Sequence, residues 1–124
     1  MAEFHDLGKR GEEAAAVHLE KTGYRILRRN WKSGKTEIDI IAENREFIVF
    51  AEVKTRSGDL RELLEDPKNA VNREKQRSII FAADNYVKWN SIDKESRFDV
   101  IIVLMKDNIP EVDHIEGAFY PTLR

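Results

Sequence analysis

The stretch TEIDIIAENREFIVFAEVKTR, residues 36–56, predicts two β-strands joined by a short polar turn. Three charged residues, Asp39, Glu52 and Lys54, interrupt its apolar runs. A charge buried beside a core costs several kcal/mol unless it is paired, bound to a metal or open to water. The hairpin therefore predicts either a functional site or a structural ion cluster.

The turn of this hairpin decides whether the charges meet. A turn centred on residues 44–45 places Asp39 diagonal to Glu52, on the order of 7 Å apart between Cα atoms. Because side chains alternate along a strand, both then point to the face that Lys54 shares. Two carboxylates at that distance suit one divalent cation. The alternative is an ion pair between Lys54 and Glu52 that binds nothing.

The whole chain has the composition of one globular domain spanning residues 1–124. Hydrophobic residues make up 41% and charged residues 35%, with a net charge of −2. No apolar run is long enough for a membrane span, and the N-terminus lacks the apolar region of a secretory signal. Cysteine is absent and the three histidines are scattered, so any metal is expected to be Mg or Mn with oxygen ligands. The lack of cysteine fits a reducing compartment, and a cytoplasmic location is expected.

Apolar periodicity along the rest of the chain predicts a mixed α/β fold. Asp6 is the expected N-cap and Gly23 the expected C′ residue of the first helix. A central sheet of four to five strands with a helix on each side buries all the apolar faces. The predicted elements are helices at 7–22 and 70–89, a helical turn at 60–65, and strands at 24–30, 37–43, 47–55, 96–106 and 112–119.

Two charged residues share faces with small or apolar residues on the predicted helices. Glu12 lies on the side of the first helix that should meet the sheet, and Lys75 begins the core-facing stripe of the second. The simpler explanation for each is a solvated residue near a helix start. The residues that share these faces are Gly8, Ala15, Ala16 and Leu19 in the first helix, and Ile79, Ala82, Ala83 and Tyr86 in the second.

The segment YRILRRNWKSGK, residues 24–35, is basic and contains no acid. Its Arg28, Arg29 and Lys32 are candidates for contact with a nucleic-acid backbone, and Trp31 for stacking on a base. A solvated basic strand and loop is the alternative explanation.

The spacing of the hairpin charges resembles a known nuclease pattern. Asp39, twelve further residues and then Glu52-Val53-Lys54 are similar to the core of the PD-(D/E)xK nuclease superfamily, without its preceding proline. Residues along nearly the whole chain also resemble the bacterial YraN-like family, which is similar in fold to archaeal Holliday-junction resolvases. Thr36 departs from that pattern, which usually has glycine there. The matching positions are Gly8, Gly11, Glu12, Ala15, Leu19, Gly23, Tyr24, Asn30, Glu37, Ile38, Asp39, Glu52, Val53, Lys54, Arg56, Pro67, Ala70, Val71, Lys75, Arg97, Phe98 and Asp99.

The resemblance implies a restriction-endonuclease-like fold and assigns roles to particular residues. Asp39, Glu52 and Glu12 would be the metal ligands, and Lys54 would complete the catalytic set. Lys75 matches a position where such nucleases place a residue facing phosphate. Arg28, Arg29, Lys32 and Arg56 are expected from their own positive charge to hold the flanking nucleic-acid backbone. Asp99 and Arg97 are expected to stabilise the fourth strand or an interface.

Three functions follow as hypotheses. The first is an Mg- or Mn-dependent endonuclease acting on nucleic acid, DNA in particular, with branched or damaged DNA as the expected substrate. The second is a nucleic-acid-binding protein that keeps the fold with weak or no catalysis. The third is a structural or interaction domain whose charges form salt bridges. A homodimer through the apolar strand from Phe98 to Met105 is a further expectation.

Overall fold

A computed structural model describes residues 2–58 and 70–121, with side chains from residue 6 onward. The strands of this part form one five-stranded sheet in the order β1-β2-β3-β4-β5. Neighbouring strands are antiparallel except β3 and β4, which are parallel. The mixed α/β fold is therefore confirmed, while the helical turn expected at 60–65 lies outside the described residues. The elements are α1 (Ala2–Lys21), β1 (Arg25–Ser33), β2 (Thr36–Glu43), β3 (Phe47–Ser57), α2 (Arg73–Trp89), β4 (Glu95–Lys106) and β5 (Ile109–Phe119).

The helices cover opposite faces of the sheet, and the stripes predicted to face it are buried. Ala15, Ala16 and Leu19 of α1 pack in one core cluster with Ile40 and Val49. The α2 stripe Ile79, Ala82, Ala83 and Tyr86 packs in the other, with Phe50 and Phe98 among its members. Since a parallel connection such as β3 to β4 needs a long crossover, the segment containing α2 supplies it and covers that face.

Gly11 sets the distance between α1 and the sheet. A Cβ atom at this position would lie 1.9 Å from Thr55 Oγ1 on β3, far inside van der Waals contact. The same addition at Gly8 meets nothing within 4 Å. Only Gly11 of this pair is therefore required for the close approach of the helix to β3.

Several predicted boundaries are wrong. Helix α1 begins at Ala2, so Asp6 lies inside it instead of capping it. Residues 2–7 contain two acids and no Gly or Pro, and acids at a helix start favour the helix dipole. Helix α2 begins at Arg73, because the Asn72 side chain caps it by accepting the Lys75 backbone N–H at 2.8 Å. Strand β1 continues to Ser33, through residues expected to form a loop.

Strand β4 lies inside the sheet. It pairs with β3 on one side and β5 on the other, and its residues from Phe98 to Met105 are buried. The homodimer surface expected on this strand is therefore wrong, because β5 and both core clusters already cover it. Within residues 2–58 and 70–121, no helix has the length and apolar character that crossing a membrane requires.

Candidate functional site

The β2–β3 hairpin turns one residue later than the sequence indicated. Ile41 pairs with Phe50, the residue that the predicted register set opposite Asp39. The Asn44 side chain fixes the turn by accepting backbone N–H groups of residues 46 and 47, at 3.0 and 2.7 Å. The pairing thus shifts by two residues. Because the shift is even, the paired residues 40–43 and 48–51 keep their predicted faces. Ile38 does not, since it packs in the core cluster opposite to that of Ile40.

Asp39 lies where β2 ends its pairing with β3. The last regular pair is Ile40 with Ala51, so Asp39 follows directly beyond the paired residues, and its side chain meets Glu52. The Asp39 Oδ2 atom accepts the Val53 backbone N–H at 2.8 Å. The carboxylate therefore takes the place of a backbone acceptor, and this hydrogen bond orients it.

The Asp39 carboxyl, next to Glu52, has a raised pKa. Burial raises the pKa of Asp39 to about 7, with further contributions from the hydrogen bond and charge of Glu52 and, more weakly, from the charge of Glu37. The Val53 N–H opposes this rise without cancelling it. Glu52 itself is buried, with 6% of its surface exposed. Carboxyl groups whose pKa is raised by burial and by a neighbouring acid are common at functional sites.

Two lysines approach Glu52 from different elements. Lys54 Nζ and Lys75 Nζ each lie 3.9 Å from Glu52 Oε2. Lys54 follows on the same strand, and Lys75 comes from the first turn of α2. At 3.9 Å neither ammonium group is within hydrogen-bond distance of this oxygen, so both retain donors for a ligand. The structure thus places Lys75, expected to contact nucleic acid, beside the hairpin carboxylates.

Glu12 reaches the neighbourhood through an asparagine. Asn30 Nδ2 donates to Glu12 Oε1 at 3.1 Å and to Glu37 Oε2 at 2.9 Å. Asn30 has a positive φ of 53°, a conformation that asparagine adopts more readily than most residues. The sequence carried no signal that Asn30 holds Glu12 and Glu37, apart from the place of Asn30 in the family pattern. This contact depends on the backbone conformation of β1.

The site offers two oxygen-bearing side chains to a metal ion. Among the described residues, no group of three or more His, Asp or Glu side chains is arranged to hold one. Asp39 and Glu52 come together, whereas the Glu12 carboxylate is held by Asn30. The three-carboxylate set remains a prediction. The pair itself fits Mg²⁺, which commonly binds through one or two carboxylates and keeps several waters.

The basic residues predicted to contact nucleic acid differ in their availability. Arg29 is paired with Glu13 at 3.0 Å. Arg28, Lys32 and Arg56 are exposed and form no ion pair with any residue in the described ranges. These three cations lie on β1 and at the end of β3.

Trp31 is less accessible than the basic segment suggested. It is half-buried, and its ring meets Tyr86 edge-on at 5.2 Å and Trp89 at 6.1 Å between centroids. Trp89, on α2, is instead the ring open to solvent, with 68% of its surface exposed. Packing against α2, which sequence alone does not reveal, accounts for the difference.

A second buried acid, Asp99 on β4, has full compensation. Arg97 donates to both of its oxygens, at 2.9 and 2.8 Å, and Gly117 N donates at 3.0 Å. His114 Nε2 lies 2.7 Å from Asp99 Oδ2, and His114 Nδ1 lies 3.1 Å from His18 Nε2 on α1. Burial would raise the pKa of Asp99, but the bonds from His114, Arg97 and Gly117 hold it below its ordinary value. Asp99 and Arg97 therefore tie β4 to β5, in line with the stabilising role expected of them.

Known proteins are similar to this chain over nearly its whole length. Residues 11–103 match a family model described as Uncharacterised protein family UPF0102. A UPF0102 protein of Bacteroides thetaiotaomicron is 45% identical over 123 residues, 99% of each chain. One from Parabacteroides distasonis is 42% identical over 124 residues, 100% of each. One from Flavobacterium psychrophilum is 42% identical over 121 residues, 97% of this chain and 98% of the relative.

Both the family match and the identity of these relatives extend over the hairpin that carries Asp39, Glu52 and Lys54. The chain belongs to the uncharacterised UPF0102 family, the YraN-like family.

Proposed function

We propose that this protein is an Mg²⁺- or Mn²⁺-dependent endonuclease that hydrolyses phosphodiester bonds, with branched or damaged DNA as substrate. The observation that carries the proposal is the adjacent pair Asp39 and Glu52, in which burial and the neighbouring Glu52 raise the Asp39 pKa to about 7. A divalent cation relieves such a pair by supplying the missing positive charge.

The residues of this chain divide the work of the reaction. Asp39 and Glu52 would hold the ion in place of the hydrogen bond they now share, and the Val53 N–H keeps the Asp39 carboxylate oriented through its Oδ2 atom. When bound, the ion supplies Lewis acidity at the phosphate and lowers the pKa of a bound water. Lys54 orients the attacking water and offsets charge that develops on the phosphate oxygens.

Lys75 would serve the same phosphate as Lys54. Both ammonium groups lie 3.9 Å from the same Glu52 oxygen, one from β3 and one from α2. Arg28, Lys32 and Arg56 would hold the flanking backbone, and their positive charge makes binding fall steeply with added salt. Two lysines beside the acidic pair support a role in binding phosphate.

A cleavage panel tests the proposal. Wild type, Asp39→Asn, Glu52→Gln and Lys54→Ala are incubated with Mg²⁺, Mn²⁺ or Ca²⁺ on single-stranded, duplex, flap and four-way-junction substrates of DNA and RNA. Cleavage is expected with Mg²⁺ or Mn²⁺, and the first two variants should lose it by about 100-fold or more, on the order of the effect of removing a catalytic group. Glu20→Gln, which changes an exposed carboxylate on α1, is the matched control. Equal cleavage by purified wild type and Asp39→Asn would contradict the proposal.

One observation favours a second function, a nucleic-acid-binding protein with weak or no catalysis. Among the described residues, a third carboxylate does not join Asp39 and Glu52 as a metal group. Metal-dependent binding without cleavage on every substrate of the panel would favour this function. If Mg²⁺ and Mn²⁺ leave the melting temperature unchanged, neither function stands and the charges are structural, because a ligand of the native state must stabilise it.

A further inference from the structure

A groove of about 650 Å³ lies between α2 and the chain that follows β5. Arg73, Arg77 and Phe81 of α2 form part of its lining, and Tyr120 lies after the end of β5. The α2 residues are spaced at i, i+4 and i+8, which places them along one side of the helix. The groove is therefore a continuous surface, basic toward the start of α2 and aromatic further along.

Two aromatic rings of this groove are left open to solvent. Phe81 is 70% exposed and Tyr120 is 61% exposed, while Phe98 in the same lining is buried. Phe98 is stacked between Phe50 and Phe119, at 5.6 and 5.4 Å between ring centroids, which makes it a rigid floor. Large exposed aromatic groups beside a cavity of this size mark a binding surface.

The charge of the groove indicates an anionic ligand. Arg73 and Arg77 form no ion pair with any residue in the ranges 2–58 and 70–121. Asp84, an acid in the same lining, is already paired with Lys88 at 2.9 Å. A ligand with both negative charge and flat apolar surface complements this combination, and a nucleotide has both.

The groove is connected to the candidate active site through α2. Lys75, which lies between Arg73 and Arg77 in the chain, reaches Glu52 on the other side of the helix. The first turns of α2 thus carry cations toward both the acidic pair and the groove. A strand with one phosphate beside Lys75 has further phosphate-binding groups on the same helix.

We propose that this groove binds an unpaired stretch of the nucleic-acid substrate, with a base stacked on Phe81 and Tyr120 and the adjoining phosphates held by Arg73 and Arg77. This inference rests on the proposed function and narrows the substrate to nucleic acid with a single-stranded part, such as a flap or an open junction. A fully paired duplex has no free base to stack and gains only the phosphate contacts.

The test measures stacking directly and contains no cleavage step. The full chain is titrated, in EDTA, with a single-stranded oligonucleotide containing 2-aminopurine, whose fluorescence is quenched when the base stacks. We expect quenching by wild type, and at least about five-fold weaker binding with loss of quenching in Phe81→Ala, since one stacked base contributes about 1–3 kcal/mol. Blunt duplex binding should not change in this variant.

Trp89→Ala is the matched control, because Trp89 is an equally exposed aromatic residue on α2, at 68%, that is outside the groove lining. It should leave quenching intact. Arg77→Gln should weaken binding of single strand and reduce the dependence of log K on log salt by about one ion, roughly 0.7 in slope.

Three outcomes would overturn the groove proposal: equal effects of Phe81→Ala and Trp89→Ala, unchanged quenching in Phe81→Ala, or no binding of the oligonucleotide. If sedimentation shows a wild-type dimer that Phe81→Ala dissociates while quenching persists, the groove binds a second copy of the chain instead. The endonuclease proposal and the groove proposal fail on different results. Cleavage by Asp39→Asn equal to that of wild type contradicts the endonuclease proposal, whereas Phe81-dependent quenching in EDTA still supports binding in the groove.

Discussion

Two aspartates inside the same sheet, Asp39 and Asp99, are held in opposite electrostatic states. Asp99 is fully buried, yet its pKa lies below the ordinary value because His114, Arg97 and the Gly117 N–H bind its carboxylate. Asp39 receives one backbone hydrogen bond, from Val53, and its side-chain partner is another acid, Glu52, so burial and this acid raise its pKa to about 7. Burial acts in the same direction on both, and their partners make the difference.

The comparison separates a structural charge from one available for function. The Asp99 network links β4, β5 and the start of β1, since Arg97 also donates to the Tyr24 hydroxyl at 2.6 Å. Every one of its charges has a partner within this network. Glu52, in contrast, has two lysines at 3.9 Å and a partly protonated neighbour. Carboxyl groups with a raised pKa of this kind cluster at functional sites, which makes Asp39 the candidate of the two.

The largest effect is expected from breaking the compensated site. Asp99→Asn leaves the buried Arg97 guanidinium with only the exposed Glu116 carboxylate, 3.7 Å away, as a counter-charge and should lower the free energy of unfolding by about 3–5 kcal/mol. Urea denaturation followed by circular dichroism measures this loss. In wild type the contribution of Asp99 is present above the pKa of an unfolded aspartate, about 4, and is lost as pH falls through its lower folded value. A loss below about 1 kcal/mol would show that the network is dispensable.

Gly11→Ala should have an intermediate effect and disturb both sites, because α1 carries Glu12 toward one and His18 toward the other. The added methyl group would meet Thr55 Oγ1 at 1.9 Å, so the helix must shift away from β3. We expect a loss of about 1–3 kcal/mol in unfolding free energy. Thermal and urea unfolding of the variant measure it.

The controls for this prediction come from the same helix and its contact. Gly8→Ala meets no atom within 4 Å and should be neutral or stabilising, by up to about 1 kcal/mol, because alanine favours the helix. Adding Thr55→Ala to Gly11→Ala removes the closest atom and should recover part of the loss. Equal effects of the two glycine substitutions would argue against close packing at Gly11.

The smallest effect, of opposite sign to that at Asp99, is expected from Asp39→Asn. A raised pKa means that the folded state binds more protons between about pH 4 and 7, so wild-type stability falls as pH rises through that window. The substitution would remove this loss and stabilise the protein by about 1 kcal/mol at about pH 8, less than the full pKa shift implies because water screens the site. Melting temperatures of both proteins from about pH 4 to 8 measure the difference.

Melting temperatures measured with added divalent metal provide a second test of the role of Asp39. If the proposed function holds, Mg²⁺ would compete with the proton on Asp39, and a rise in the wild-type melting temperature with Mg²⁺ should grow between about pH 5.5 and about pH 8. Asp39→Asn should abolish most of that rise, and Asp84→Asn should not change it. If Asp39→Asn is destabilised at about pH 8 without metal, Asp39 serves the fold and the contrast with Asp99 is wrong.

The apolar pattern of the chain was sufficient to predict the element order and the buried faces of both helices, but boundaries depended on local contacts. The Asn72 cap set the start of α2, and the Asn44 side chain set the turn of the β2–β3 hairpin. The predicted face of Asp39 survived the error in register only because the shift was even. A shift by one residue would have turned its side chain to the other face.

What the sequence by itself determined is the α/β class, the family pattern and the identity of the charges on β2 and β3, because periodicity and spacing are properties of the chain. Tertiary structure alone decided the partners of those charges. In the folded chain Lys75 lies beside Glu52, and Asn30 donates a hydrogen bond to Glu12. Asp99 lies between Arg97 and His114. The physical reason is that a pKa depends on the distances to neighbours from distant parts of the chain, and these distances exist only after folding.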